Sequence, residues 1–333
     1  MENVVVLSRA GAQSVPRDAV ARIEEYANLR FVTVQSSPGP AEAAELLESA
    51  TVLATTNVTL PRLDEDLLRA CASLRHVVLY ATGYEHIDLE VLQTHGVTLS
   101  VLPEYATPAV AEHALGMLLS LATRSHLAND RSRGLVPADT SLRGIELGGR
   151  TLGIIGVGRI GTHLARIASG IGLRVIGSDT DPRARVAAQE RGMLMTTTPD
   201  LLHRADIVAI CCSTDPHQPL VLGAPEIARL RTGGFLVNIG RSALVDTTAV
   251  AAAIHAGDLR GYGVDDIVMP TDSDLVVEGR ILQTAHSAWW RDEVLERGAE
   301  HFGEAILAAV AGEPINVVTR ELAAAGASDR RCA

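Results

Sequence analysis

The segment TLGIIGVGRIGTHLARIASGIGLRVIGSD, residues 151–179, constrains the fold of this chain more than any other. An apolar run at residues 151–155 leads into Gly156-x-Gly158-x-x-Gly161, and a helical stretch opens at the loop. Strand, glycine loop and helix in that order form a βα unit whose turn lies against a dinucleotide pyrophosphate. Gly156 permits the tight turn, Gly158 lets the backbone approach the phosphates, and Gly161 lets helix and strand pack closely. The first helical residues, Arg159 and Ile160, present N–H groups and the positive end of the helix dipole. Asp179 ends the next apolar run, near the separation of about 20 residues expected of an acid that accepts the ribose 2′-hydroxyl. A carboxylate there repels a 2′-phosphate, so the expected cofactor is NAD, although Arg183 and Arg185 just beyond weaken that preference. A glycine-rich turn with a solvated Asp is the competing reading, and it leaves the strand–loop–helix–strand order unexplained.

The same alternation runs through most of the chain. Short β-branched runs at residues 4–7, 31–34, 52–54 and 76–80, spaced by helical stretches such as 17–26, predict a first parallel unit ending near residue 100. Runs at 207–210, 235–239, 261–264 and 281–284 extend a second unit. An apolar-periodic segment over 108–133 is longer than an ordinary crossover helix. It either bridges two lobes, packs on a partner subunit or lies buried within one domain. A last helix over 292–311 is placed to return to the first lobe, and the tail from Gly312 is expected to fray at its end.

Composition narrows the chemistry. The 333 residues suit about two domains. All 29 basic residues are arginine, so Schiff-base catalysis and a P-loop lysine are excluded. A guanidinium, permanently protonated, replaces neither. A net charge of −11 argues against nucleic-acid and acidic-membrane partners. No apolar run approaches the roughly 18 residues of a membrane span. The opening MENVVVLSRAGAQ is too short and too acidic for a signal peptide, so a cytoplasmic protein is expected. Cys71, Cys211, Cys212 and Cys332 lack metal or C-x-x-C spacing and read as reduced thiols, with no metal site; Cys211 and Cys212 read as the buried end of a strand.

Four further stretches carry a family resemblance: ATGYEHID (81–88), AVAEHALGMLL (109–119), LVNIGRSALVD (236–246) and TAHSAWW (284–290). With the glycine loop, and in this order, they resemble the D-isomer-specific 2-hydroxyacid dehydrogenases over roughly residues 50–312. The resemblance implies an α/β protein of two doubly wound parallel-sheet lobes. Residues 1–100 plus 291–333 would form a flavodoxin-like substrate lobe and 101–290 a Rossmann NAD-binding lobe. It also implies a homodimer and hydride transfer between NAD and a small anionic substrate, a 2-hydroxy or 2-oxo acid.

By that resemblance Arg241 grips the substrate carboxylate and polarises the 2-oxo group. A planar, permanently charged fork suits both tasks, and a surface ion pair is the competing role. His286, one of 11 histidines, would be the general acid, since an imidazole titrates ordinarily near neutral pH and suits proton traffic in both directions. Thr82 and Gly83 would offer backbone N–H groups to the carboxylate. Asp265 matches the acid near the nicotinamide carboxamide, with a helix or turn cap as the alternative. The HSAW segment is also similar to the C-terminal-binding-protein corepressors, NAD-binding relatives with a Trp three positions after the His. Trp289 there either contacts the substrate or packs in the core.

One position departs from the family pattern. Met269 precedes Pro270 where a Glu that hydrogen-bonds the histidine is expected. A carboxylate favours imidazolium and a thioether does not. Three explanations stay open. Asp266, Asp272, Asp274 or Glu278 reaches His286 instead; the enzyme works with a less basic histidine; or the chain binds NAD as a sensor or scaffold without ordinary turnover. A phosphonate- or phosphite-type anion is a further candidate substrate.

Overall fold

The computed structural model describes residues 1–214 and 221–319, which divide into two compact units. The first comprises Met1–Ala106 with the described residues from Arg291 onward, and the second comprises Thr107–Trp290. In the first unit β1 (Glu2–Ser8), β2 (Ala27–Thr33), β3 (Val52–Thr56), β4 (His76–Tyr80) and β5 (Thr98–Val101) form one sheet in the order β2-β1-β3-β4-β5. In the second, β6 (Thr151–Ile155), β7 (Arg174–Ser178), β8 (Leu194–Met195), β9 (Ile207–Ile210), β10 (Gly234–Asn238), β11 (Leu259–Val264) and β12 (Ile281–Gln283) follow the order β12-β11-β10-β9-β6-β7-β8. Every paired strand in both sheets is parallel. Helices cover both faces of such sheets, which is why Val4 to Leu7 and Ile207 to Ile210 are unbroken apolar runs, buried along their length.

Two short strands, β5 and β8, have no counterpart in the sequence reading, and three further elements differ from it. The strand expected from residue 31 begins at Ala27, because β2 is an edge strand whose exposed positions carry Asn28 and Arg30 and break the apolar run. The long helix is two helices, Thr107–Thr123 and Ser125–Ser132, divided at Arg124, whose φ of 57° is left-handed. The first ends there because the Ala122 carbonyl accepts from the Ile145 N–H (2.8 Å) and the Arg124 guanidinium donates to the Glu278 carbonyl (2.9 Å). The tail is held as far as Thr319: Val318 N–H donates to the Leu99 carbonyl (2.9 Å) and covers the edge of β5. The rest of the tail, with Cys332, lies outside the described residues.

The two longest described helices seat against their sheets at glycines. Thr107–Thr123 packs on β10 and β11, where Gly261 and Gly263 make room for Leu121 and Met117. Asp292–Val310 packs on β3 and β4 of the first unit, with Gly298 under the Tyr80 ring and Phe302 edge-on to it at 5.2 Å. Among the described residues no helix is long and apolar enough to cross a membrane.

Candidate active site

The glycine loop joins β6 to the helix Arg159–Gly170, with Gly158 as N-cap and no side chain capping the helix. Sterics enforce its glycines unequally. Gly156 has φ +90°, and a Cβ there would lie 2.6 Å from the Cys212 backbone nitrogen; a Cβ on Gly161 would lie 2.0 Å from the Gly156 carbonyl oxygen. A Cβ on Gly158, by contrast, would meet nothing within 4 Å. That open face, beside the first-turn N–H groups at Arg159 and Ile160, fits a phosphate group approaching the backbone. Asp179 follows β7 and is oriented by two backbone donors, Val157 N–H to Oδ2 (2.8 Å) and Asp181 N–H to Oδ1 (2.9 Å). One donor comes from the glycine loop, so loop and acid are fixed relative to each other. The Arg185 guanidinium donates to the Asp179 and Thr196 carbonyls (both 3.2 Å), and Arg183 lies against Asp181 (3.6 Å), so both arginines contact protein groups.

Beside this loop, β9 ends at Ile210, and Cys211 and Cys212 follow it, half-buried. Burial pushes the Cys211 thiol up to about 12, leaving it uncharged and a poor nucleophile at neutral pH. Among the described residues no group of three or more His, Cys, Asp or Glu side chains could hold a metal ion.

Further along the same sheet edge, Arg241 leaves the C-terminal end of β10. The buried Asn238 shapes that exit: its amide donates to the Arg241 carbonyl (2.8 Å) and its Oδ1 accepts from the Gly240 N–H (3.0 Å). The Arg241 guanidinium donates to the Gly240 carbonyl (3.0 Å), drawing the side chain back along the turn.

His286 lies in a turn after β12, and the turn is conformationally costly. Ala285 and His286 have φ of 47° and 58°, two consecutive non-glycine residues in the left-handed region. Asp265, which follows β11, holds them there. Its Oδ1 accepts from the Thr284 hydroxyl (2.7 Å) and the Ser287 N–H (2.8 Å), and its Oδ2 accepts from the Ala288 N–H (3.1 Å). Asp265 is thus a turn cap, 19 residues away in sequence from the turn it caps. His286 is exposed, and among the described residues of its own unit no side chain hydrogen-bonds its ring.

The segment at Met269 is fixed by Gln283. Gln283 Oε1 accepts from the Val268 and Met269 N–H groups (3.1 and 3.2 Å), and its amide donates to the Met269 carbonyl (2.9 Å). The Met269 thioether packs against the core beneath and takes the Ser273 hydroxyl at 3.7 Å. Of the four candidate acids, Asp274 pairs with His255 at 3.1 Å, and that hydrogen bond holds its carboxyl below the usual range. Asp266 accepts from the Ile267 N–H (2.9 Å), and no bond joins Asp272 or Glu278 to the His286 ring.

The remaining residues singled out in the sequence lie apart in the chain. Thr82 and Gly83 follow β4 in the first unit, where the Thr82 hydroxyl donates to the Leu102 carbonyl (2.9 Å). Trp289 and Trp290 stack edge to face at 4.9 Å, Trp290 being 60% exposed. Sequence reasoning passed over Asn238, Gln283, Thr284 and His113, polar residues within otherwise apolar motifs. Their polarity, at strand ends for Asn238, Gln283 and Thr284 and on an apolar helix for His113, was the available signal.

Comparison with known proteins places this geometry in context. Residues 115–288 match the D-isomer specific 2-hydroxyacid dehydrogenase, NAD binding domain family. The chain is 31% identical over 207 residues to a D-lactate dehydrogenase of Escherichia coli, a match covering 62% of either protein and so under two thirds of that relative. It is 27% identical over 328 residues to a glyoxylate reductase of Korarchaeum cryptofilum, covering 93% of this chain and 95% of that one. A crystal structure of D-lactate dehydrogenase from Aquifex aeolicus with NAD and lactic acid superposes with a TM-score of 0.74 at 26% identity, over 95% of this chain and 99% of that one.

Proposed function

Because the chain belongs to the D-isomer specific 2-hydroxyacid dehydrogenase family and carries its NAD-binding domain, we propose that it interconverts a small 2-oxo acid and its 2-hydroxy form. The observation that carries this reading is a shared edge. The glycine loop with Asp179, the Arg241 exit and the His286 turn all follow the C-terminal ends of parallel strands in one sheet, where such folds bind ligands.

Gly156, Gly158, Arg159, Ile160 and Gly161 would hold the NAD pyrophosphate, and Asp179 would accept the adenosine ribose hydroxyls. Bound NAD supplies a two-electron hydride carrier. Asp265 has both oxygens engaged in three bonds, and a carboxylate with about four acceptor positions keeps one for a carboxamide N–H. Arg241 binds the substrate carboxylate through its planar fork and stabilises negative charge developing on the 2-oxo oxygen. His286 delivers a proton to that oxygen in reduction and takes it back in oxidation. Thr82 and Gly83 of the first unit offer amide N–H groups to a carboxylate, and Trp289 contacts the substrate side chain. On this reading the first unit is the substrate domain, and the chain works as a cytoplasmic homodimer.

Oxidation of NADH over a panel of 2-oxo acids including glyoxylate and pyruvate tests the proposal. Turnover that Arg241→Leu lowers through both substrate KM and kcat is expected, whereas intact NADH binding with no turnover on any acid overturns it. A second reading, an NAD(H) sensor without ordinary turnover, draws on a His286 ring that no described side chain of its unit hydrogen-bonds and on Met269 packed against the core. That second outcome would favour it, and reduction of NAD+ in the presence of phosphite tests the other anion class.

A further inference from the structure

The His286 turn is held by more than its cap. His113, on the Thr107–Thr123 helix, approaches from the far side with its Nε2 2.9 Å from the Thr284 hydroxyl and 3.8 Å from Asp265 Oδ1. These groups lie under the turn, the His113 and Asp265 side chains being 13% and 7% exposed. Proton bookkeeping fixes the direction of the chain of bonds. Asp265 Oδ1 accepts from the Thr284 hydroxyl, which spends its one proton there, so its oxygen must accept from His113. His113 is therefore the donor, through Nε2–H, at the start of a relay that runs Nε2–H to Oγ1 and Oγ1–H to Oδ1.

The relay has a mechanical consequence. A carboxylate cap can rotate about its Cβ–Cγ bond, and rotation of Asp265 would release both the Ser287 and Ala288 N–H groups at once. The Thr284 hydroxyl pins Oδ1, and His113, donating to that hydroxyl's oxygen, offers its proton no competing acceptor. Two left-handed residues in succession cost roughly 1–2 kcal/mol each outside glycine, so a turn whose cap is loose has ready alternatives. Among the described residues of its unit no side-chain carboxylate contacts the His286 ring, and the backbone of this turn carries the imidazole.

We propose that His113 and Thr284 are positioning residues for His286, acting through Asp265; this rests on the reading of His286 as the acid–base group. Thr284→Val keeps the shape and removes the hydroxyl. It is expected to lower kcat about 10- to 100-fold, the scale of a small misplacement of a reacting group, with the Kd for NADH changed by less than about twofold. Thr284→Ser, which keeps the hydroxyl, should restore kcat to within about threefold. His113→Leu should lower kcat about fivefold, the worth of one neutral hydrogen bond.

The decisive measurement is the double variant with His286→Gln. If Thr284 acts by aiming His286, Thr284→Val adds less than about twofold to the loss already caused by His286→Gln. An undiminished additional loss overturns the proposal, as does a Kd for NADH that rises as much as kcat falls. A His286→Gln enzyme with wild-type kcat instead defeats the acid–base reading itself. One readout needs no turnover: Trp289 and Trp290 are the only tryptophans and directly follow the turn. Acrylamide quenching of their emission should rise at least twofold in Thr284→Val with the melting temperature held within a few degrees, and unchanged quenching counts against the relay.

Discussion

The glycine loop of residues 156–161 and the histidine turn of residues 284–288 leave the same edge of one sheet, yet their shapes are enforced in different ways. In the loop, absent side chains do the work: Gly156 and Gly161 have no room for a Cβ, and Gly158 leaves an open face for a ligand. In the turn, side chains are present and the backbone takes a conformation they disfavour. Asp265, Thr284 and His113 supply the compensating hydrogen bonds. A loop shaped by exclusion carries its instructions locally, whereas one shaped by bonds depends on residues far away in sequence. The first suits a task common to many substrates, and the second suits the aiming of a single group.

Removing the cap should produce the largest effect. Asp265→Ala leaves the part-buried Ser287 and Ala288 N–H donors unpaired at about 1–3 kcal/mol each, and kcat is expected to fall about 1,000-fold in steady-state assays. A loss confined to NADH affinity would show that the turn needs no cap. Next, Gly161→Val forces a side chain against the Gly156 carbonyl and should weaken NADH binding about 100-fold by fluorescence titration, through strain of a few kcal/mol. Binding within tenfold of wild type would mean that the loop is less sterically fixed than its turn partner. Asp179→Ala removes the charged acceptor and should raise the Kd for NADH about tenfold while improving that for NADPH; an unchanged ratio of the two removes Asp179 from cofactor choice. The mirror of the loop's rule is Ala285→Gly, which relieves about 1 kcal/mol of left-handed strain. Calorimetry should show a melting temperature within about 3 °C of wild type, and a large drop would place the strain elsewhere.

The contrast also explains what could be read from the sequence. The βα alternation, the glycine loop and Asp179 are local patterns, and the strands of the second unit other than the two-residue β8 lie where their apolar runs indicated. β2 begins earlier than expected because an edge strand tolerates Asn28 and Arg30. The long helix breaks because Arg124 is held by the Glu278 carbonyl, a partner 154 residues away. Asp265 could be named as a cap or a cofactor ligand, but its partners at residues 284, 287 and 288 become visible only when β11 and β12 pair. Met269 was legible as a departure from the family pattern, whereas its anchoring by Gln283 was not, since that bond joins an irregular loop to the end of β12, 14 residues on. Of His113, 171 residues from Thr284, the sequence shows only a polar residue on an apolar helix.

The first unit is built from two separate stretches of chain, and this orders its birth on the ribosome. The β1 to β5 strands are made first, but the helix Asp292–Val310 that covers β3 and β4 arrives only after the whole second unit. At roughly 5–20 residues per second, the strand surface that Phe302 later buries waits for many seconds uncovered. The second unit is continuous and can close its cofactor loop in that interval, so NAD is available as a folding ligand before the first unit is complete. Pulse-labelled hydrogen exchange on stalled chains would follow that order directly, with protection of β6 amides ahead of β4 as the expected sequence.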